Sequence, residues 1–130
     1  MSSPALRIET VQHHEVLVLK PIGWVAADGH VAMEEKLQQL VAEGHRRMVV
    51  DLSAAHFVSS TGLGVFLYYH EVLAEKGGRL VLAAPGGAVS KMLAVANLDR
   101  VLAICATLPE AVERARRNPR SSRAKRPPQT

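Results

Sequence analysis

The chain has 130 residues, 48% of them hydrophobic and 22% charged, which suits one domain with a substantial core and leaves no room for two. Aromatic residues are only 4%, so the core must be aliphatic, and a platform for stacking nucleic-acid bases is excluded. The formal net charge of +4 belongs to the C-terminus: from Arg114 onward stand seven basic residues and no acidic ones, leaving nine basic against twelve acidic residues before it. Residues 118–130 also carry Pro119, Ser121, Ser122, Pro127 and Pro128 without an apolar pattern. That composition predicts a disordered basic tail after a domain spanning residues 1–117. Its plain role is to solubilise, the alternative being contact with nucleic acid or an acidic partner. Cys105 is the single cysteine, which excludes an internal disulfide and fits a reducing compartment. No apolar signal core and no run of about 18 apolar residues occurs, so a cytoplasmic protein with no membrane span is expected.

In chain order, Leu6 to Val11 alternates apolar and polar residues and predicts a half-buried strand. Gln12, His13 and His14 turn the chain. Val16 to Leu19 predicts a buried strand stopped by Pro21 and Gly23. Met33, Leu37, Leu40 and Val41 then share one helical face, with Gly44 ending the helix. Met48 to Leu52 is the next strand, and Thr61 to Lys76 a long apolar helix closed by Gly77 and Gly78. A strand at Leu80 to Ala84, a short helix at Ala88 to Ala96 and a strand at Val101 to Ile104 follow. Thr107, Pro109 and Glu110 open a last helix, to about Arg117. The order β-β-α-β-α-β-α-β-α predicts a single α/β domain. Its sheet is mainly parallel, with an antiparallel N-terminal edge strand and about four helices.

Sites in such sheets gather in the loops after the strand C-termini, here Pro21 to Asp28, Ser53 to Thr61 and Pro85 to Gly87. In the middle loop Ser59, Ser60 and Thr61 stand together where a helix begins. One hydroxyl suffices to cap the helix; the cluster reads first as that cap, and the surplus leaves open a phosphorylation site, which a helix N-terminus can hold. Gly62 and Gly64 imply close packing at the helix start; nucleotide-loop and nucleophile-elbow spacings are both absent. The long helix carries two apolar stripes, Leu63, Phe66, Leu67 and Leu73 on one and Val65, Tyr68, Tyr69 and Val72 on the other. It is therefore packed on two sides or keeps a partner-binding face, with Tyr68 and Tyr69 the most exposed candidates. Trp24 packs under the first loop or meets a partner.

The six histidines, His13, His14, His30, His45, His56 and His70, form no metal signature; His56 lies beside the hydroxyls. Asp28, Asp51 and Asp99 are isolated, and no catalytic dyad stands out. Neither a metal nor a cofactor is called for.

Asp51-Leu52-Ser53 followed by Phe57-Val58-Ser59-Ser60-Thr61-Gly62-Leu63-Gly64 resembles the signature of STAS domains of the bacterial anti-sigma factor antagonist type. Gly23 after the second strand, Gly77-Gly78-Arg79-Leu80-Val81-Leu82 and Leu108-Pro109-Glu110-Ala111 agree in order, so the resemblance spans about Leu6 to Arg116. It implies a non-enzymatic phosphoprotein that regulates transcription indirectly by partner switching. The unphosphorylated domain binds an anti-sigma factor that is also a serine kinase. Phosphorylation at the position of Ser60, less favourably Ser59 or Thr61, dissociates the complex, and a phosphatase resets it. Trp24, His56, Ser59, Ser60, Thr61, Gly62, Leu63 and Tyr68 are the expected partner-binding residues, and direct DNA binding is not expected. Two positions depart from the family pattern: Ser59 stands where an aspartate often precedes the target serine, and Ala26 where an acid often follows the second strand. The other readings are a STAS-like module never phosphorylated, binding a small ligand or serving a lipid-transport complex, and a small α/β enzyme with its site at Ser59 to Thr61.

Overall fold

A computed structural model describes residues 6–26 and 28–117. The expected tail at 118–130 lies outside the described residues. The elements run β1 (Arg7–His13), β2 (Val16–Val25), α1 (Asp28–Ala42), β3 (Arg47–Asp51), β4 (Ala55–Val58), α2 (Ser60–Glu75), β5 (Arg79–Ala83), α3 (Gly87–Val95), a 3-10 turn (Leu98–Arg100), β6 (Ala103–Cys105) and α4 (Leu108–Arg116). The sheet order is β1-β2-β3-β5-β6, with β4 paired to the far end of β2. Only β1 and β2 are antiparallel, as the alternating strand and helix signals predict.

Both faces of the sheet are covered, and the alternation along each strand sorts the residues. Leu17, Leu19, Met48, Val50, Leu80 and Leu82 face α1, α2 and α3 in the larger core. Val16, Val18, Val49, Val81 and Ala83 face Ala111 and Ala115 of α4. The small side chains on α4 let one short helix lie close over that side. The Thr107 hydroxyl caps α4 by accepting from the Glu110 N–H at 3.3 Å.

The structure corrects five expectations about the elements and their burial. β1 runs on through Gln12 and His13, which pair with Leu17 and Val16, and leaves the turn to His14 and Glu15. β2 does not stop at Pro21 but continues to Val25. Its pairing to β3 ends at Leu19, so the N–H that Pro21 lacks costs no bond to β3. The loop after β3 contains a strand, β4, because β2 beyond Gly23 offers a free edge that pairs Trp24 with Phe57 and Val25 with Val58. The last strand begins at Ala103 rather than Val101, since the N–H groups of Val101 and Leu102 both bond back to the Leu98 carbonyl, at 3.0 and 2.8 Å. Tyr69 is buried, with 6% of its surface exposed.

That burial follows from the packing of α2. Gly62, Leu63, Val65, Phe66, Tyr69 and Leu73 are all buried, because α1 lies against the side of α2 that the sheet does not cover. Two apolar stripes are thus two packed faces, and what remains outside is a line of Ser60, Thr61, Gly64, Tyr68, Glu71, Ala74 and Glu75. Phe66 is among the largest fully buried side chains. Phe66→Ala should therefore lower unfolding free energy by about 3–5 kcal/mol, measured as a shifted urea midpoint with the slope unchanged.

Candidate functional site

The site is assembled at the C-terminal ends of the strands. Ser59 adopts an extended conformation (φ −72°, ψ 167°) and is the N-cap of α2. Its backbone N–H donates to the Val25 carbonyl at 2.9 Å, and its hydroxyl accepts from the Gly62 N–H at 3.0 Å. The first helical bond, Leu63 N–H to the Ser59 carbonyl, is 2.8 Å. One serine thereby performs the whole capping task. Ser60 and Thr61, the first two helical residues, are exposed. Their backbone N–H groups find no acceptor among the described residues, and they point the positive end of the helix outward.

Gly62 and Gly64 have opposite reasons for being glycine. A Cβ on Gly62 would stand 2.9 Å from the Val25 carbonyl oxygen and 3.0 Å from a Val58 methyl, so the helix start fits against β2 and β4 only with a bare Cα. A Cβ on Gly64 would meet nothing. The close packing expected at both glycines therefore holds at Gly62 alone; Gly64 leaves a bare backbone patch on the exposed line of α2, one turn beyond Ser60.

Asp51 of the Asp51-Leu52-Ser53 segment is buried, and its carboxylate accepts from the Ser53 N–H at 3.0 Å. It holds the turn after β3, in which the Ala55 N–H donates to the Leu52 carbonyl at 3.1 Å, and that turn shifts the chain onto the far part of β2, where β4 pairs in parallel and delivers Ser59 to Val25. Trp24 and His56 are exposed on adjoining strands. Trp24 rests against Phe57, with ring centroids 5.3 Å apart. Phe57 is a site residue that the sequence reading left out. The signal for it was strand pairing, invisible while residues 53–61 read as loop.

Among the sequence-predicted residues, Trp24, His56, Ser59, Ser60 and Thr61 are thus gathered at one end of the sheet. Gly62 and Leu63 belong to the same turn but are buried, so they shape the surface rather than form it. Tyr68 is 57% exposed and lies on the Ser60 side of the helix, eight residues on and about 12 Å along the axis. It stacks edge-on against Tyr69 at 4.9 Å. Burial first, then the Glu34 carboxylate and Tyr68, push the Tyr69 phenol above its ordinary range, so Tyr69 anchors the helix as a neutral group. No group of three or more His, Cys, Asp or Glu able to hold a metal occurs among the described residues. No helix among them is long and apolar enough to cross a membrane.

A covered parallel sheet that presents an exposed hydroxyl and an aromatic surface at one end describes an α/β interaction module. Residues 7–111 match the model of the STAS domain, and the chain belongs to that family. It is 28% identical over 116 residues to the anti-sigma-F factor antagonist RsfB of Mycobacterium tuberculosis, covering 86% of this chain and 92% of that protein. Its fold superposes on the crystal structure of an anti-sigma factor antagonist from Mycobacterium paratuberculosis with a TM-score of 0.80 at 25% identity, over 90% of this chain and 100% of the other. It also shares the fold of the Bacillus cell fate determinant SpoIIAA in its phosphorylated form, with a TM-score of 0.64 at 21% identity over 85% and 99% of the two chains.

The contrast between the glycines is open to measurement. Gly64→Ala should stabilise the protein by about 1 kcal/mol through helix propensity, whereas Gly62→Ala should destabilise it through the Val25 and Val58 contacts. Thermal melts of the two variants should move in opposite directions.

Proposed function

We propose that the chain is an anti-sigma factor antagonist working in the bacterial cytoplasm, a binding protein rather than an enzyme, switched by phosphorylation of Ser60. The names of its relatives support the antagonist reading, and one structural observation supports the switch. Ser59 caps α2 by itself, so the adjacent, exposed Ser60 hydroxyl has no part in holding the fold together.

The partner would be an anti-sigma factor that is also a serine kinase, seated on the Ser60 turn, the Trp24–Phe57 surface beside it and the exposed line of α2 down to Tyr68. In the kinase reaction the Ser60 Oγ forms a bond to the γ-phosphorus of ATP as the bond to the ADP oxygen breaks, and the hydroxyl proton passes to a base on the kinase. The product phosphate faces the N–H groups of Ser60 and Thr61 and the positive end of the helix, so the domain carries it without refolding. Its charge of about −1.5 to −2 then acts on whatever covers that surface. Burial of such a charge against an apolar, closely packed partner is unfavourable, and the complex separates. A phosphatase would restore the binding form. Ser59 in place of the family's frequent aspartate keeps the cap, because serine and aspartate cap comparably, but removes a negative charge next to the acceptor.

Calorimetric titration with the anti-sigma factor tests the reading. Ser60→Ala should bind like the parent, Ser60→Asp should bind at least about tenfold more weakly, and all three should melt together. Incubation with the kinase and ATP should place a phosphate on the parent and none on Ser60→Ala. Equal affinities across the series would sink the switch.

A further inference from the structure

At the opposite end of the sheet from Ser60 lies a second feature. Arg47 and Arg79 open β3 and β5, so they stand at the N-terminal ends of the parallel strands, where Ser60 stands at the C-terminal ends. Here a groove of about 360 Å³ runs between the 3-10 turn, β6 and the end of α4. Its charged lining is Arg79, Asp99, Arg100 and Arg114, with His70 of α2 at its side. The volume is in the range of small-ligand sites, about 300–1,000 Å³.

The charges in the groove do not balance within the protein. The ion pairs of the described residues are Arg7 with Glu9, Glu43 with His45 and Glu113 with Arg116. None of Arg79, Arg100 and Arg114 is among them, and Asp99 offsets at most one of the three. Arg79 is part-buried and fixed, its Nη1 donating to the Arg114 carbonyl at 2.9 Å. Burial, followed by the charges of Arg114, Arg117 and Arg47, lowers its pKa below the ordinary arginine range. The guanidinium groups of Arg79 and Arg114, held near each other against their own repulsion, with Arg100 lining the same groove, call for an anion from outside.

We propose that this groove binds the phosphate group of a small phosphorylated molecule, or phosphate itself, through the guanidinium groups of Arg79, Arg100 and Arg114. Three guanidinium groups against one carboxylate leave about two positive charges. That matches the −1.5 to −2 of a phosphomonoester better than a single carboxylate, and planar guanidinium groups pair with phosphate oxygens two at a time. The site is independent of the Ser60 switch, because it uses the other pole of the sheet.

Titration of the full chain with inorganic phosphate and with glycerol phosphate, followed by amide NMR against sodium chloride at matched ionic strength, tests it. Saturable shifts should appear at Arg79, Arg100 to Ile104 and Arg114. Arg100→Gln and Arg114→Gln should each weaken binding about tenfold, and Arg116→Gln, whose parent side chain is paired with Glu113, should not. A stronger response to glycerol phosphate than to phosphate identifies a phosphomonoester as the ligand, and the reverse identifies the free ion. Arg100 is exposed on a surface turn, so its variant remains a usable test should loss of Arg79 disturb α4. Shifts that sodium chloride reproduces, shifts confined to residues after Arg117, or binding of a duplex oligonucleotide without any response to phosphate would overturn the proposal.

Discussion

The carbonyl of Val25 is the point on which the functional end of the molecule turns. It accepts the Ser59 N–H at 2.9 Å, and it is the atom that a side chain on Gly62 would strike. A strand end, a capping residue and the third residue of a helix are thereby held within a few ångströms of one another. The chain reaches that geometry only because β2 runs past its pairing with β3 and takes β4 as a neighbour, and because Asp51 holds the turn that shifts the chain from β3 onto that far part of β2. Loosening any of these contacts would leave the helix start free to move, and with it the direction of the Ser60 hydroxyl.

Fixing the helix start in this way separates two tasks that adjacent serines could otherwise share. Ser59 is consumed by the cap; Ser60 is exposed, and its hydroxyl has no part in the cap. A charge placed on Ser60 meets unused N–H groups instead of the core, so the domain can change its surface without changing its packing. The same division continues along α2. Its two apolar stripes are used up by the sheet and by α1, and the line left outside begins at Ser60, passes the bare backbone of Gly64 and reaches Tyr68. A partner reading this line meets a rigid surface, since the residues just behind it, Leu63, Phe66 and Tyr69, are locked in the core.

The two ends of the parallel sheet carry different electrostatics. The C-terminal end offers a helix N-terminus and an aromatic surface, while the N-terminal end carries a groove whose three arginines form no ion pair among the described residues and share one carboxylate, that of Asp99. The mild acidity of the chain before Arg114 therefore conceals a basic pole, which the net charge of the sequence could not reveal because it sums over positions without placing them.

The sequence by itself determined the class of fold, the alternation of strands and helices, the antiparallel first pair and the location of the hydroxyl cluster at a helix start. These follow from local signals: hydrophobic period, glycine and proline punctuation, the capping box at Thr107 and the run of hydroxyls at Ser59 to Thr61, among which the structure picks Ser59 as the cap. Tertiary structure alone decided the rest. The strand at Ala55–Val58 has no strong signal of its own and exists because β2 presents an edge to it. Phe57 joins the site through that pairing with Trp24. Tyr68 and Tyr69 are neighbours of one type in the sequence, and only the packing of α1 makes one a surface residue and the other a core residue. Gly62 and Gly64 read alike until the position of the Val25 carbonyl distinguishes them. The groove at the far end joins residues from β5, α2, the 3-10 turn and α4, which no spacing along the chain connects. Local propensity depends on near neighbours in the chain, whereas burial, register and convergence of charge depend on neighbours in space.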